Sequence, residues 1–401
     1  MIEQITKHFQ VYKVGGCVRD ELLNISHADI DYCVVASREQ FESLFPQLEC
    51  VGRCFPVYLN PSCGSEIALS RSEISTGHTY QDFECVSGVS IEEDLSRRDA
   101  TMNSIAKCVS TGTLIDPFNG IQDIQNKIVR TINKDAFIED PLRILRLCRQ
   151  AVQFGFDIEP HTKQLMKESV HRLIHIPSER VVAELQKMYI KCEVPSTFFR
   201  LLYELDALRF FFIELKKCVH VPAGPEKYHP EGSTFNHIMN SFDSAKANGY
   251  SFSVAIAALS HDFGKLSTDP TEYPSHINHE NRLEHLENFL ERLKFDSYTQ
   301  KLSRVVHKNH MKVHILEKIK KPVKLIRFIR SIRKEFRDDF IKACNCDSPL
   351  SATQLEIYSN IRKAVDTTVE LPSDIKGTEA IQNYVENFYT KKYLDICKQK
   401  G

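Results

Sequence analysis

The hydrophobic pattern of this chain changes type part-way along, and that change limits what it can fold into. Up to about residue 135, β-branched runs such as Asp31-Tyr32-Cys33-Val34-Val35 and Pro56-Val57-Tyr58-Leu59 are punctuated by Gly and Pro, which predicts short strands with a few helices around them. From Asp140 onward the apolar spacing is helical, and the stretches 140–154, 161–175 and 178–191 carry no proline past their first turn. The fold class implied is an α+β head, a mixed sheet with helices, followed by an all-α remainder. With 401 residues, 42% of them hydrophobic, there is material for two or three domains. The Pro/Gly/His-rich segment 221–232 interrupts the helical run and reads as a linker or loop, with a boundary near 222.

Several classes of function are excluded early. A net charge of −1 argues against indiscriminate binding to polyphosphate backbones, so any RNA site must be a local patch. No stretch of eighteen apolar residues occurs, and the start, Met1-Ile2-Glu3-Gln4-Ile5, lacks the basic-then-apolar form of a leader; a cytoplasmic protein with no membrane partner is expected. The thirteen cysteines form no C-x-x-C pair and are expected to be reduced, small apolar residues.

Chemistry concentrates in the head. In Val14-Gly15-Gly16-Cys17-Val18-Arg19 two glycines separate an apolar run from an amphipathic one, as in a strand, a tight turn and a helix. Backbone N–H groups at such a helix start can cradle phosphate, with Arg19 as a charged donor. Asp29-Ile30-Asp31 follows, and i, i+2 spacing on a strand turns both carboxylates to one face, where they repel unless a cation sits between them. Mg²⁺ suits oxygen ligands of this kind and could hold a nucleoside triphosphate for in-line attack by a hydroxyl. In Glu92-Glu93-Asp94-Leu95-Ser96-Arg97-Arg98-Asp99, Arg98 is a candidate for triphosphate and Asp99 for a ribose hydroxyl; a charged helix start is the plainer alternative.

A second concentration lies at the start of the helical part. Arg143, Arg146 and Arg149 recur at i, i+3 and i+6, spanning about 120° of a helix, with Ile144, Leu145, Leu147 and Cys148 opposite. This predicts one core face and one row of guanidiniums. Asp140 lies one turn before Arg143, giving an acceptor and a forked donor able to read a nucleobase edge.

Taken in order, V-G-G-C-V-R-D, D-I-D, E-E-D-L-S-R-R-D-A-T-M-N, D-P-F-N-G-I-Q-D-I-Q-N-K-I-V-R, E-D-P-L-R-I-L-R-L-C-R and P-S-E-R-V-V-A-E-L resemble the bacterial class II tRNA nucleotidyltransferases, the CCA-adding enzymes, and within them the multifunctional type that carries an HD domain. The resemblance implies a polymerase-beta-like nucleotidyltransferase head over 1–135 and a helical neck and body with the nucleotide-templating helix over 136–221. An HD phosphohydrolase domain over 222–345 and a helical tail over 346–401 complete it. It further implies that Gly16 and Arg19 contact the incoming nucleotide and that Asp29 and Asp31 hold Mg²⁺. By the same resemblance Arg98, Arg146 and Arg149 bind nucleotide, and Asp140 with Arg143 selects CTP or ATP for addition to tRNA. Either a monomer or a homodimer is compatible with this. Two departures stand out: Gln150 follows Arg149 where the family commonly has an aromatic, and Ala100 stands where a larger aliphatic is usual.

The second half is dense in imidazoles: His237, His261, His276, His279, His307, His310 and His314. Histidine with aspartate is a divalent transition-metal set. The doublet His261-Asp262 preceded by His237 resembles the HD phosphohydrolases, which implies phosphatase and 2′,3′-cyclic phosphodiesterase activity with Ni²⁺ or a similar ion. A late basic series, with Arg327, Arg330, Arg333 and Arg337 at helical spacing, could lie along a tRNA stem or be a solvated face. Two rival readings remain at this point: a bacterial poly(A) polymerase, which shares the head but lacks the HD motifs, and an HD phosphohydrolase with an idle RNA-binding head.

Overall fold

The computed structural model describes the chain except residues 27–28, 52–55, 62–63, 76–82, 374 and 400–401. Seven strands, β1 (Gln10–Val14), β2 (Tyr32–Val35), β3 (Cys50–Val51), β4 (Val57–Leu59), β5 (Glu66–Leu69) and, after the separate hairpin β6 (Arg71–Ser75) and β7 (Phe83–Ser87), β8 (Ala106–Cys108) and β9 (Leu114–Ile115), form one sheet. Its order is β3-β4-β5-β2-β1-β8-β9, with β2 parallel to β5 and the other neighbours antiparallel. The head is thus the mixed sheet expected.

Alternation along the strands decides which helix covers which face. Val11, Val34, Ile67 and Leu69 pack with Phe41 of the helix Arg38–Leu44. Tyr12, Val14, Cys33 and Ala106 point the other way, onto Ile91 and Leu95 of the helix Ile91–Ser96. Phe41 and Leu95 are fully buried, worth about 1.5–3 kcal/mol each. Both helices begin with capping boxes, Ser37 with Gln40 and Ser90 with Glu93, which fix their first turns against the sheet.

The remainder is predominantly helical. The chain separates into two compact units, Met1–Cys192 with Thr197–Phe210, and Glu193–Ser196 with Phe211–Gly401. The division falls at Phe210–Phe211, ahead of the segment read as a linker. That segment is stitched to the second unit: the Pro222 carbonyl accepts from Thr234 Oγ1 at 2.9 Å, and the Ala223 carbonyl from Lys265 Nζ at 2.6 Å. In the second unit the helices Thr234–Ala247, Phe252–Ser260, Ser297–His314 and Arg337–Asp347 pack on one another. The helices Ala352–Val365 and Thr378–Lys398 pack with Pro322–Arg330. Among the described residues no helix is long and apolar enough to cross a membrane.

The late basic series does not share one helix. Pro322–Arg330 ends before Arg333, and Arg337 opens the next helix as a buried residue, bonded to Asp366 Oδ1 at 2.5 Å and to the Ile332 carbonyl at 3.0 Å. Arg327 is held by both oxygens of Glu386 at 2.8 Å. Two of the four arginines in that series therefore already have intramolecular anionic partners.

Candidate active sites

The first site grows from the β1 turn. Gly15 adopts φ 73°, ψ −134° and caps the helix Gly16–Leu22; a Cβ there would lie 2.8 Å from Arg98 Nη1, so the turn and the arginine approach each other only because the residue is glycine. The Val14 N–H donates to the Asp31 carbonyl at 3.0 Å, which sets Asp31 beside that turn. Asp29 and Asp31 precede β2 rather than lying within it, and both are exposed. The parallel register that pairs Tyr32 with Ile67 brings Glu66 alongside Asp31, an acid the sequence reading missed because only strand pairing reveals it. Asp31 is pushed above the usual carboxylate range, first by exclusion of water on its protein side and then by Glu66 and Asp29, with Arg98 opposing. Crowded, solvent-facing acids of this kind fit a hard divalent cation.

Two arginines frame the turn, Arg98 at Gly15 and Arg19 at Gly16. Arg19 donates to Asn103 Oδ1 at 2.6 Å and to Asp20 Oδ1 at 2.7 and 2.9 Å, with its guanidinium 4.5 Å from the Phe154 ring centre. Arg98 rests on Asp94 Oδ2 at 3.1 Å, and its buried Nε has no partner among the described residues, a donor left for an anionic ligand. Asp94 also takes Arg97 at 2.8 Å; burial raises its pKa, but the two guanidiniums together hold it below the usual range.

The row of arginines expected opposite the core is largely bonded within the protein. Arg143 and Arg149 are buried, and each arginine of the helix Leu142–Phe154 has its own acceptor. Arg143 donates to Glu139 Oε2 at 2.8 Å and to the carbonyls of Ala136 at 3.2 Å and Arg97 at 2.6 Å. Arg146 bonds Asp99 Oδ2 at 2.7 and 2.8 Å, and Arg149 bonds Glu184 and, at 2.8 Å, Gln153. Asp140 pairs with Arg180, at 2.8 and 3.3 Å, rather than with Arg143. Asp99 is buried among Arg146, Asn103 at 2.7 Å and Gln150 at 3.0 Å; burial is outweighed by Arg146, and the carboxyl lies well below its usual range. The departure at Gln150 thus has a physical reason: its amide bridges Asp99 and Asn103, a bond no aromatic ring could make.

A second cluster lies wholly in the other unit. His261, His279 and His310 are buried, and each Nδ1 meets the carbonyl three residues back, Ala258 at 2.7 Å, His276 at 2.8 Å and His307 at 2.9 Å. A carbonyl only accepts, so each Nδ1 carries the hydrogen and each Nε2 turns its remaining site inward. His261 Nε2 faces Asp262 Oδ2 and Asp347 Oδ1, both at 3.3 Å, without hydrogen-bond geometry. His237 Nε2 stands 2.9 Å from Asp347 Oδ1 and 3.5 Å from Asp262 Oδ2. On the other oxygen of Asp262 lie His279 Nε2 at 3.0 Å and His310 Nε2 at 3.6 Å. His237 Nε2 is within hydrogen-bond distance of Asp347 Oδ1, but the unpartnered His261 Nε2 faces two carboxylates and needs a proton or a cation between them. Burial alone would lower the His261 pKa, but Asp262 and Asp347 push it up to about 10, so a proton answers the same demand a metal would. The donor set His237, His261, Asp262 and Asp347 therefore fits a divalent transition metal.

The region 11–130 matches the family model described as Poly A polymerase head domain, and 155–218 matches the one described as a probable RNA and SrmB-binding site of polymerase A. Over its length the chain is 36% identical to the multifunctional CCA protein of Acinetobacter baumannii (strain SDF), covering 92% of this chain and 93% of the relative. It is 40% identical to that of Pseudoalteromonas atlantica over 78% of each. This chain belongs to the multifunctional CCA protein family. The fold agrees: a CCA-adding enzyme in its apo form II superposes with TM-score 0.70 at 21% identity over 97% of this chain and 88% of that one. The Thermotoga maritima CCA-adding enzyme complexed with tRNA does so with TM-score 0.64 at 19% identity, over 99% and 92%.

In this CCA protein family member, the residues singled out from sequence sort into two groups. Gly15, Gly16, Asp31 and Arg98 meet at one turn, and the side chains of His237, His261 and Asp262 converge in the other unit. Asp140 and Arg143, by contrast, are engaged with different partners. Four participants escaped notice: Glu66, Arg180, Glu184 and Asp347. Arg180 and Glu184 stood inside P-S-E-R-V-V-A-E-L, where two charges four apart on one helix face were a usable signal. Asp347 carried none, because it lies far along the chain from the His261-Asp262 doublet in no repeating pattern, and it is helix packing that returns it to His261.

Proposed function

We propose that this chain adds C, C and A to the 3′ end of tRNA from CTP and ATP, with Asp29 and Asp31 holding Mg²⁺. The register that sets Asp31 against the Gly15 turn and Arg98 carries this reading, because it brings acids for a metal and donors for a triphosphate to one place. Bound there, Mg²⁺ supplies charge neutralisation for the triphosphate and favours deprotonation of the tRNA 3′ hydroxyl. Arg19 and Arg98 orient the phosphates, and Arg146 and Arg149 belong to the same nucleotide-binding wall. Gly16 opens the helix whose N–H groups face the phosphates. Asp99 acts by holding Arg146 as much as by reaching a ribose. Asp140 and Arg143 read the base edge, which requires Asp140 to share its carboxylate between Arg180 and the nucleotide.

The second unit we assign as an HD-type hydrolase of 2′,3′-cyclic phosphates and phosphomonoesters, with Ni²⁺ or another divalent transition metal held by His237, His261, Asp262 and Asp347. A metal there supplies Lewis acidity and an activated water. Lys265, 2.6 Å from Asp262 Oδ2, fixes that carboxylate.

The head is tested with tRNA lacking its 3′ end, CTP, ATP and Mg²⁺, followed by sequencing of the products. Three added nucleotides ending in CCA support the proposal. Long A tails would show a poly(A) polymerase, and no extension would show an idle head. For the second unit, 2′,3′-cyclic AMP with Ni²⁺ should be hydrolysed by the wild type and not by His261→Ala; turnover indifferent to that change overturns the assignment.

A further inference from the structure

The histidines of the second cluster are not all oriented in the same way. His261, His279 and His310 each lean on a backbone carbonyl of their own helix or turn, a neutral acceptor that no side-chain substitution removes. His237 has a different support: its Nδ1 lies 2.9 Å from Glu231 Oε1, and a carboxylate only accepts, so Nδ1 carries the hydrogen. Its Nε2 lies within hydrogen-bond distance of Asp347 Oδ1, at 2.9 Å, and 3.5 Å from Asp262 Oδ2, so a cation bound between these groups would replace the Nε2 hydrogen while Glu231 keeps the one on Nδ1. Glu231 comes from the loop before the helix, six residues ahead of His237.

The same oxygen has a second ring. His229 Nδ1 lies 2.9 Å from Glu231 Oε1, and the His229 and His237 rings meet edge to face with centres 5.1 Å apart. His229 in turn lies against Gly224, where a Cβ would come within 2.4 Å of its Cδ2. The loop is anchored by the Lys265 bond to the Ala223 carbonyl, and Lys265 also holds Asp262. One short segment therefore reaches a metal-ligand histidine from behind and, through Lys265, a metal-ligand aspartate.

We infer that Glu231 is a positioning residue for the metal centre: it fixes the tautomer and raises the basicity of His237, and His229 holds the Glu231 carboxylate in place for that task. An anionic acceptor behind a ligating imidazole strengthens its donor nitrogen and restricts ring rotation, and losing such a partner costs about 10–100-fold in metal affinity or activity. The inference rests on the reading of this cluster as a metal centre, and it assigns the centre's loading to a loop outside the donor set.

The experiment uses the full chain and Co²⁺, with excess Mg²⁺ present to occupy the exposed acids of the head. Visible absorption reports cobalt bound at the histidine centre, and His261→Ala defines which band belongs to it. Glu231→Ala is expected to weaken cobalt binding about 10–100-fold. Glu231→Gln, which keeps an oxygen acceptor, should recover most of that loss, and His229→Ala should fall between. Long-range proton–nitrogen spectra of the metal-loaded protein should show the His237 Nδ1 as protonated in the wild type and altered in Glu231→Ala. Unchanged CCA addition and an unchanged thermal transition before metal is added show that the variants are folded. Wild-type affinity with an unaltered His237 signal in Glu231→Ala overturns the inference alone. Absence of any His261-dependent cobalt band in the wild type overturns the metal-centre reading and the inference with it.

Discussion

In the first unit Asp29 and Asp31 face solvent beside a backbone turn, with Arg98 acting on Asp31, whereas in the second Asp262 is buried and Asp347 nearly so among imidazoles. The difference follows from what each place must admit. An exposed pair of acids suits a hard cation that arrives with a triphosphate and keeps several of its waters. A buried set of nitrogens and oxygens suits a resident transition metal, because a cation among them offsets the cost of burying the carboxylates beyond what Lys265 supplies to Asp262. The two centres also differ in scaffold: the first depends on a strand register and a glycine turn, the second on side chains converging from separate helices.

The comparison breaks most visibly if the centres are not independent. Asp31→Ala should lower nucleotide addition by about 10³-fold or more, since several kcal/mol of charge stabilisation are removed, and leave hydrolysis of 2′,3′-cyclic AMP unchanged. Radiolabelled CTP incorporation and a phosphate-release assay on the same preparation check both halves. The converse is Asp347→Ala, which should reduce cyclic-phosphate hydrolysis by about 10²-fold or more and spare CTP incorporation. A fall in both activities for either variant would mean that the two units do not act separately.

A smaller effect separates scaffold from ligand inside the arginine helix. Glu184→Ala leaves Arg149 buried without its carboxylate and should destabilise the protein by about 3 kcal/mol, read from urea unfolding. The double change Arg149→Met with Glu184→Leu should restore most of that stability. If Arg149 also binds nucleotide, the restored protein will still have a raised KM for CTP and ATP; an unchanged KM would leave Arg149 a purely structural residue.

The smallest expected effect concerns acid. Glu21 joins Lys107 and Lys13, at 2.8 and 2.9 Å, and those bonds lower its pKa from 4.5 to about 2. Because the folded state prefers the ionised form, the stabilisation is present above about pH 4.5 and is lost as pH falls toward 2. Partial exposure limits it to about 1 kcal/mol. Glu21→Gln should therefore lose less stability than the wild type across that window, and equal losses would show that the lysines contribute nothing there.

The mixed head and helical remainder were legible in the sequence because each follows from local periodicity. Gly15, Asp31 and Arg98 were legible for a related reason: each lies in a short motif whose spacing has a mechanical meaning. The partners of the arginine helix were not, since a guanidinium at a surface-like position gives no sign of whether its acceptor is water or a buried carboxylate. Arg143 and Arg149 read as members of a row opposite the core and proved to be buried. Glu66 depended on a parallel register that no pattern announces. For Asp347 the His261-Asp262 doublet gives no local guide, and only packing of the helix Arg337–Asp347 brings this second aspartate to His261.

The most direct test of two separate centres on one chain is a single time course on a tRNA that lacks its CCA end and terminates in a 2′,3′-cyclic phosphate, supplied with CTP, ATP, Mg²⁺ and Ni²⁺. The account predicts that the wild type opens the ring, removes the phosphate and then restores CCA, while Asp31→Ala stops at the free 3′ hydroxyl and His261→Ala stops at the cyclic phosphate. Extension of the blocked tRNA by His261→Ala, or a wild type that leaves the cyclic phosphate intact, would contradict it.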